Sequence, residues 1–458
     1  MLIKSILFKK NCFYTDEGRD RLCEPRATSS LREKVPIPAK FFIWQYKNNS
    51  HASNAVLHRI FRSIVSCAGS ISNSISMIKI LKKQDYTEGV TFNGENSQTQ
   101  QTSMNIFHSE KPFTLECGAI LAEIDIAYHT YGLMNIQKDN IVWVFHALTG
   151  NSDAADWWSG MIGQGKIFDP ANDFIICANM IGSHYGSTSP LSINPKTGKR
   201  YGRDFPTITI RDVVNGFILL AQHLDIQRVK LAIGGSMGGQ QVLEWSIMQP
   251  DFAENIAVIA CGPQMTPWSI ALNETQRMAI EADSSISPEA LAKAVTEEDF
   301  INAGAKGMEA ARAIGMLSYR SYEGYNIAQA DNSDALDTFK VQSYQRYQAF
   351  KLRKRFNALS YLSVSKTMDS HNVGRGRGGV STALSTIKAN TLVVGIRTDI
   401  LFPFEEQAQI TAHIPHAQLK LIDSKFGHDG FLIEFDQMLR LLERFMKRKV
   451  VKSVNLLA

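Results

Sequence analysis

Cysteine is sparse in this chain. Its six cysteines lie at positions 12, 23, 67, 117, 177 and 261, with no Cys-x-x-Cys pair and no histidine spacing of the kind that holds zinc. This scatter excludes a disulfide framework, gives no metal or other bound cofactor, and fits a reduced cytoplasmic protein. Long apolar runs are missing too, none reaching the roughly 18 residues that a bilayer-spanning helix needs. The apolar stretch at the N-terminus is too short for a signal peptide and soon meets Asp16, Glu17 and Asp20, so no export signal is read. Charge of one sign is confined to the start. Residues 1–103 hold 15 Lys and Arg against 8 Asp and Glu, and the remainder holds 34 against 36, so the net +5 belongs to the leading segment. A near-neutral body offers no basic face for nucleic acid. No internal repeat is visible.

What the sequence does contain is a composition 44% hydrophobic over 458 residues, enough for one large domain with an insertion or for two domains. One stretch organises the rest. The apolar run Val229-Lys230-Leu231-Ala232-Ile233 ends in Gly234-Gly235-Ser236-Met237-Gly238, and an amphipathic segment follows at once. The order is strand, sharp turn, helix, and Gly-x-Ser-x-Gly at such a turn is a nucleophile elbow. Its glycines are needed because neighbouring Cβ atoms would clash where the serine hydroxyl is presented at a helix N-terminus. A phosphate-binding loop is excluded, since Gln240 stands where that motif requires lysine.

Residues 1–103 show little periodicity and end in a polar tract that cannot build a core. They are read as a disordered extension or as an upstream stretch added by a mis-assigned start. The second is preferred, with Met104 as first residue, because regular patterning begins just after it; an organellar or regulatory arm is the remaining alternative. From residue 113 the pattern sharpens. Residues 113–117 and 119–128 alternate like an antiparallel hairpin, and 141–145 and 174–178 are continuous apolar strands. A helix over 209–224 leads into the elbow strand, and 255–260 is a further strand. Strands alternating with helices imply a mostly parallel sheet covered on both faces. Between residues 263 and 388 the strand pattern stops. Helices over 268–282, 288–295, 308–319 and 342–362 make this a helical lid inserted into the core formed by 104–262 and 389–458. The sheet resumes at 391–396 and 418–422, with helices over 404–413 and 431–447.

A serine hydroxyl is a poor nucleophile near neutral pH, so it needs a histidine base and a carboxylate that fixes the imidazole tautomer. On this architecture the acid and then the histidine follow the serine along the chain. Asp399 lies just past a late strand, and His428 lies in the loop after the next one. His413 and His416 also follow Asp399 and are assigned surface roles. Asp423 is the competing acid, on the same connection as the base, and Asp369 comes from the lid. The oxyanion of a tetrahedral intermediate needs backbone donors. Met237 N–H, after the serine, is one. The second is expected from His146-Ala147-Leu148-Thr149-Gly150, and Leu148 N–H is the choice.

These residues carry a resemblance. His146-Ala-Leu-Thr-Gly150, Tyr185-Gly-Ser-Thr188 with Ser192-Ile-Asn-Pro195, the run from Phe205 to Asp212, the elbow, Asn273-Glu-Thr-Gln-Arg277, Arg355-Phe356 with Ser360-Tyr361-Leu362, Leu401-Phe-Pro403 and Gly427-His-Asp429 together resemble the homoserine O-acetyltransferases of methionine synthesis, over residues 113–442. The resemblance implies an α/β-hydrolase fold with a helical lid, usually a homodimer, that moves an acetyl group from acetyl-CoA to the hydroxyl of L-homoserine. It also implies that a lid arginine and the aspartate beside the catalytic histidine hold the amino acid. Arg312 fits the first, with Tyr319 two turns on along the same helical face, and Asp429 fits the second. Homoserine O-succinyltransferase, serine O-acyltransferase, esterase and an inactive hydrolase scaffold used for binding are the alternatives. Arg375 and Arg377, in Gly374-Arg-Gly-Arg-Gly-Gly379, are read as part of a flexible lid loop rather than a contact to CoA phosphates.

Overall fold

A computed structural model describes residues 103–331, 334 and 336–447. The expectations for residues 1–102 lie outside it. Eight strands form one sheet: β1 (Asn105–Ser109), β2 (Ile124–Tyr131), β3 (Ile141–Phe145), β4 (Phe174–Ala178), β5 (Val229–Gly235), β6 (Ala253–Ile259), β7 (Asn390–Ile396) and β8 (Ala417–Ile422). Their spatial order is β1-β2-β4-β3-β5-β6-β7-β8. The first pairings, β1 with β2 and β2 with β4, are antiparallel. All the others, from β4 through β3 to β8, are parallel.

The strand sequences explain the layers. Successive side chains point to opposite faces, so Trp143 and Phe145 of β3 join one core cluster while Val142 and Val144 join the other. The first face is covered by α1 (Ile210–His223) and α2 (Met237–Met248), through Val213, Phe217 and Leu220 and through Val242 and Trp245. Thr209 starts α1 with a reciprocal cap involving Asp212. Between β6 and β7 the chain is helical: its principal helices are α3 (Pro267–Glu281), α4 (Ala305–Tyr319), α5 (Tyr322–Gln329), α6 (Lys340–Arg353) and α7 (Ala358–Asp369). After β7 and β8 come α8 (Phe404–His413) and α9 (Phe435–Met446), and α9 covers the second face with Met438, Leu442 and Phe445. Among the described residues no helix is long and apolar enough to cross a membrane.

Local chemistry corrects three sequence expectations. The helix read over 342–362 is two helices, because Asn357 caps α7 by accepting from Ser360 N–H at 3.0 Å and donates to Phe300 O and Ile301 O at 2.9 and 3.1 Å. The helix over 288–295 ends at Leu291, and a new turn, Glu297–Asn302, starts from the Thr296 cap. The stretch before α9 is a 3-10 turn, Gly427–Leu432.

The glycine-rich 374–379 stretch is not free chain. Arg375 pairs with Glu116 at 2.8 Å, and Arg377 pairs with the buried Glu244, which also takes Arg211 at 2.9 Å. Both arginines are thereby committed to carboxylates of the core.

Candidate active site

The parallel register fixes where the candidate residues emerge. Gly235 of β5 pairs with Ile259, Ile259 of β6 with Val394, and Ile396 of β7 with Ile422 of β8. Ser236, Asp399 and His428 therefore all follow the C-terminal ends of strands on the same edge, where open α/β sheets place their ligands.

Ser236 adopts φ 57° and ψ −128° and begins α2. Its N–H donates to Ile259 O at 2.8 Å. A non-glycine residue at positive φ is held by its surroundings, and the packing shows how. A Cβ on Gly238 would lie 2.3 Å from Phe145 O, and one on Gly235 would lie 2.5 Å from the Phe431 ring. The elbow is thus wedged between the β3 exit and the turn that carries His428.

Asp399 accepts from Leu401 N–H at 2.8 Å and Phe402 N–H at 3.0 Å through one oxygen, and from His428 Nδ1–H at 2.7 Å through the other. Its side chain is fully buried. With the Nδ1 proton held there, Nε2 is left as the acceptor. The imidazole sits among the rings of Phe402, Phe431 and Tyr319, at 5.6, 5.7 and 6.1 Å between centroids. Burial pulls its pKa down, but the Asp399 charge and hydrogen bond, with help from Asp429, raise it above the ordinary histidine value.

The competing groups are engaged elsewhere. Asp423 is 76% exposed and pairs with Arg397 at 2.7 Å. His413 bonds Gln409 O at 2.8 Å, and His416 is exposed. Asp369 pairs with Arg277 at 2.7 Å and takes Asn273 at 2.7 Å, which fastens α3 to α7.

The loop after β3 lies against the elbow helix. Gln241 donates to Met237 O at 3.0 Å and to His146 O at 3.3 Å, tying the two backbones together. Leu148 and Met237 are both buried. The N–H groups at the start of α2 have no acceptor within the helix, as the first intrahelical bond runs from Gln240 N to Ser236 O. Arg355, from the linker before α7, donates to Thr149 O at 2.6 Å and so holds this loop from outside.

Arg312 and Tyr319 share one face of α4, with the guanidinium carbon 5.3 Å from the ring centroid. The Arg312 Nε is buried without a hydrogen-bond partner, and Arg312 forms no ion pair among the described residues. Asp429 lies 3.1 Å from Arg320 Nε, an ion contact that lacks hydrogen-bond geometry. Arg320 was not among the expected site residues, and its one cue in the sequence is its place directly after Tyr319.

A second overlooked group is Glu406, in the first turn of α8. Burial, then the charges of Asp399 and Glu405, push its carboxyl up to about 8. One of its oxygens has no partner and occupies space that a Cβ on Gly262 would need, only 1.9 Å away. Because the folded value lies above the unfolded one of 4.5, the native state holds this proton more tightly. The associated stability is complete below that unfolded value and is lost as pH rises through the folded one. Wild-type stability relative to Glu406→Gln is expected to fall by roughly 1.4 kcal/mol per pH unit across this window. Chemical denaturation of both proteins at a series of pH values checks the slope; parallel curves would refute it.

A strand-ordered Ser, Asp and His at one edge of a mostly parallel sheet defines the α/β hydrolases, and residues 140–435 match the family model described as the α/β hydrolase fold. Within that class the chain is 46% identical to a homoserine O-acetyltransferase of Cyclobacterium marinum over 350 residues, 76% of this chain and 96% of that protein. It belongs to the homoserine O-acetyltransferase family. A crystal structure of homoserine O-acetyltransferase from Bacillus anthracis shares the fold with a TM-score of 0.69 at 23% identity, covering 76% of this chain and 98% of that one. The acetyl esterase MekB is also similar, with a TM-score of 0.65 and 26% identity over 76% of this chain and 97% of that one.

Proposed function

We propose that the protein transfers an acetyl group from acetyl-CoA to the hydroxyl of L-homoserine through an acyl-serine intermediate, a step of methionine biosynthesis. The contact between His428 Nδ1 and Asp399 at 2.7 Å, at the strand edge where Ser236 emerges, is the observation that carries the chemistry. His428 Nε2 takes the Ser236 proton as Oγ attacks the thioester carbon. The oxyanion is held by the N–H groups of Leu148 and Met237. Collapse breaks the C–S bond, and the departing thiolate receives the proton from His428. Homoserine then gives its hydroxyl proton to His428 and attacks the acyl-serine carbon, and Ser236 leaves with the proton returned.

Arg312 supplies the site for the α-carboxylate, since its Nε is buried without a hydrogen-bond partner and its guanidinium has no carboxylate partner among the described residues. Asp429 takes the ammonium, and the Tyr319 ring lies between Arg312 and the histidine, 5.3 Å from the guanidinium carbon and 6.1 Å from the imidazole centroid. The helices of residues 263–388 act as a lid that limits water at the acyl-serine. The enzyme is read as a cytoplasmic homodimer that uses no metal or bound cofactor.

Purified protein offered acetyl-CoA or succinyl-CoA with homoserine, serine or water is expected to favour acetyl-CoA with homoserine. A strong succinyl preference would overturn the donor assignment, and CoA release at full rate without an amino acid would make it an esterase. Arg312→Ala is expected to raise the KM for homoserine by roughly 30-fold or more while the acetylation half-reaction keeps its rate. Rapid-quench measurement of CoA release separates the two; equal loss in both would refute a carboxylate site.

A further inference from the structure

An open cavity of about 420 Å³ lies between the loop containing His184 and Ser192, the residue Arg200 and the linker that joins α6 to α7. Its lining includes Arg200, Arg353, Lys354 and Arg355 against the single carboxylate of Glu297. Arg200 is matched by Glu297 at 3.0 Å, and Arg353 by Glu309 at 3.1 Å. Lys354 rests over the Phe350 ring, 4.5 Å from its centroid, and neither it nor Arg355 has a carboxylate partner among the described residues. The cavity is therefore a cationic recess, suited to a multiply charged anion.

Its position carries the argument further. Arg355 lines the cavity and also donates to Thr149 O, one residue beyond Leu148. The recess thus backs onto the loop that the proposed mechanism uses for the oxyanion. The other arginine-rich stretch is already consumed, since Arg375 and Arg377 pair with Glu116 and Glu244.

We propose that this recess binds the phosphate-bearing nucleotide end of the acyl donor, so that its thioester arm runs along the β3 loop toward Ser236. The proposal rests on the acetyl-CoA reading and adds the place and residues of donor recognition. Lys354, which has no carboxylate partner among the described residues, supplies charge to the phosphates, Arg353 adds a donor beside it although it already pairs with Glu309 at 3.1 Å, and Arg355 keeps the loop in register.

The test uses the full chain with the Arg353→Ala/Lys354→Ala double substitution and two donors, acetyl-CoA and S-acetylpantetheine, which lacks every phosphate. The KM for acetyl-CoA is expected to rise at least about tenfold, as for loss of hydrogen bonds to charged groups. The KM values for S-acetylpantetheine and homoserine stay within twofold, and Arg353→Lys/Lys354→Arg restores the acetyl-CoA value. In the wild type, 3′,5′-adenosine diphosphate competes with acetyl-CoA and inorganic phosphate at equal concentration does not. An unchanged KM for acetyl-CoA, or equal weakening of both donors, would overturn the site. Inorganic phosphate competing as well as the nucleotide would overturn the donor assignment of the recess. A wild type inactive with both donors refutes acetyl transfer itself, a result distinct from any of these.

Discussion

Ser236→Ala is expected to lower kcat by roughly 10⁵- to 10⁶-fold and to abolish the acetyl adduct on the peptide containing Ser236. Removing the nucleophile eliminates the covalent route, and what persists comes from substrate positioning and oxyanion stabilisation. The two half-reactions give separate readouts: CoA release without acceptor, by rapid quench, and the adduct, by mass spectrometry. Undiminished turnover would sink the acyl-serine mechanism. The backbone adds an independent expectation. At φ 57° the serine stores strain, of the order of 1–3 kcal/mol. Ser236→Gly, which tolerates that conformation, should therefore be inactive yet more stable than Ser236→Ala, by about 1 kcal/mol in chemical denaturation.

The sheet was legible because its core strands have local signatures. Residues 141–145 and 174–178 are buried on every side, and such strands appear as unbroken apolar runs. The elbow was legible for a related reason: the close approach of Gly238 to Phe145 O leaves room only for hydrogen, and that demand is written in the sequence as glycine. Chain order then pointed to Asp399 and His428. The edge strand β1 was missed because its residues are largely exposed and pair only with β2, so no apolar alternation marks it. The helix break before α7 depends on Asn357 reaching Phe300 O and Ile301 O, contacts that periodicity does not encode. Arg375 with Glu116 and Arg377 with Glu244 are separated by 259 and 133 positions. A charged glycine-rich segment whose partners lie that far off has the sequence character of a loop. Glu406 escaped because its perturbation comes from Asp399 and burial, neither of which its neighbours in sequence reveal.

Asp399→Asn is expected to lower kcat by about 10⁴-fold while largely preserving the fold. The volume is conserved, but an amide can present its NH₂ to Nδ1, which places the imidazole proton on Nε2 and removes the base from the side that serves Ser236. The pH profile distinguishes this from a simple loss of packing. In the wild type the Asp399 charge and hydrogen bond outweigh burial and raise the His428 pKa. Activity that needs neutral histidine should accordingly fall as pH drops through a value above 6.5. Without the carboxylate charge, burial is opposed only by Asp429, so the residual activity should persist to lower pH. A profile of kcat/KM for acetyl-CoA from acid to neutral pH measures both effects. The same acid limb in wild type and variant would mean that Asp399 does not set the charge state of His428, and Asp399→Glu, which restores the charge with altered reach, should return the limb toward higher pH even where rate recovers only in part.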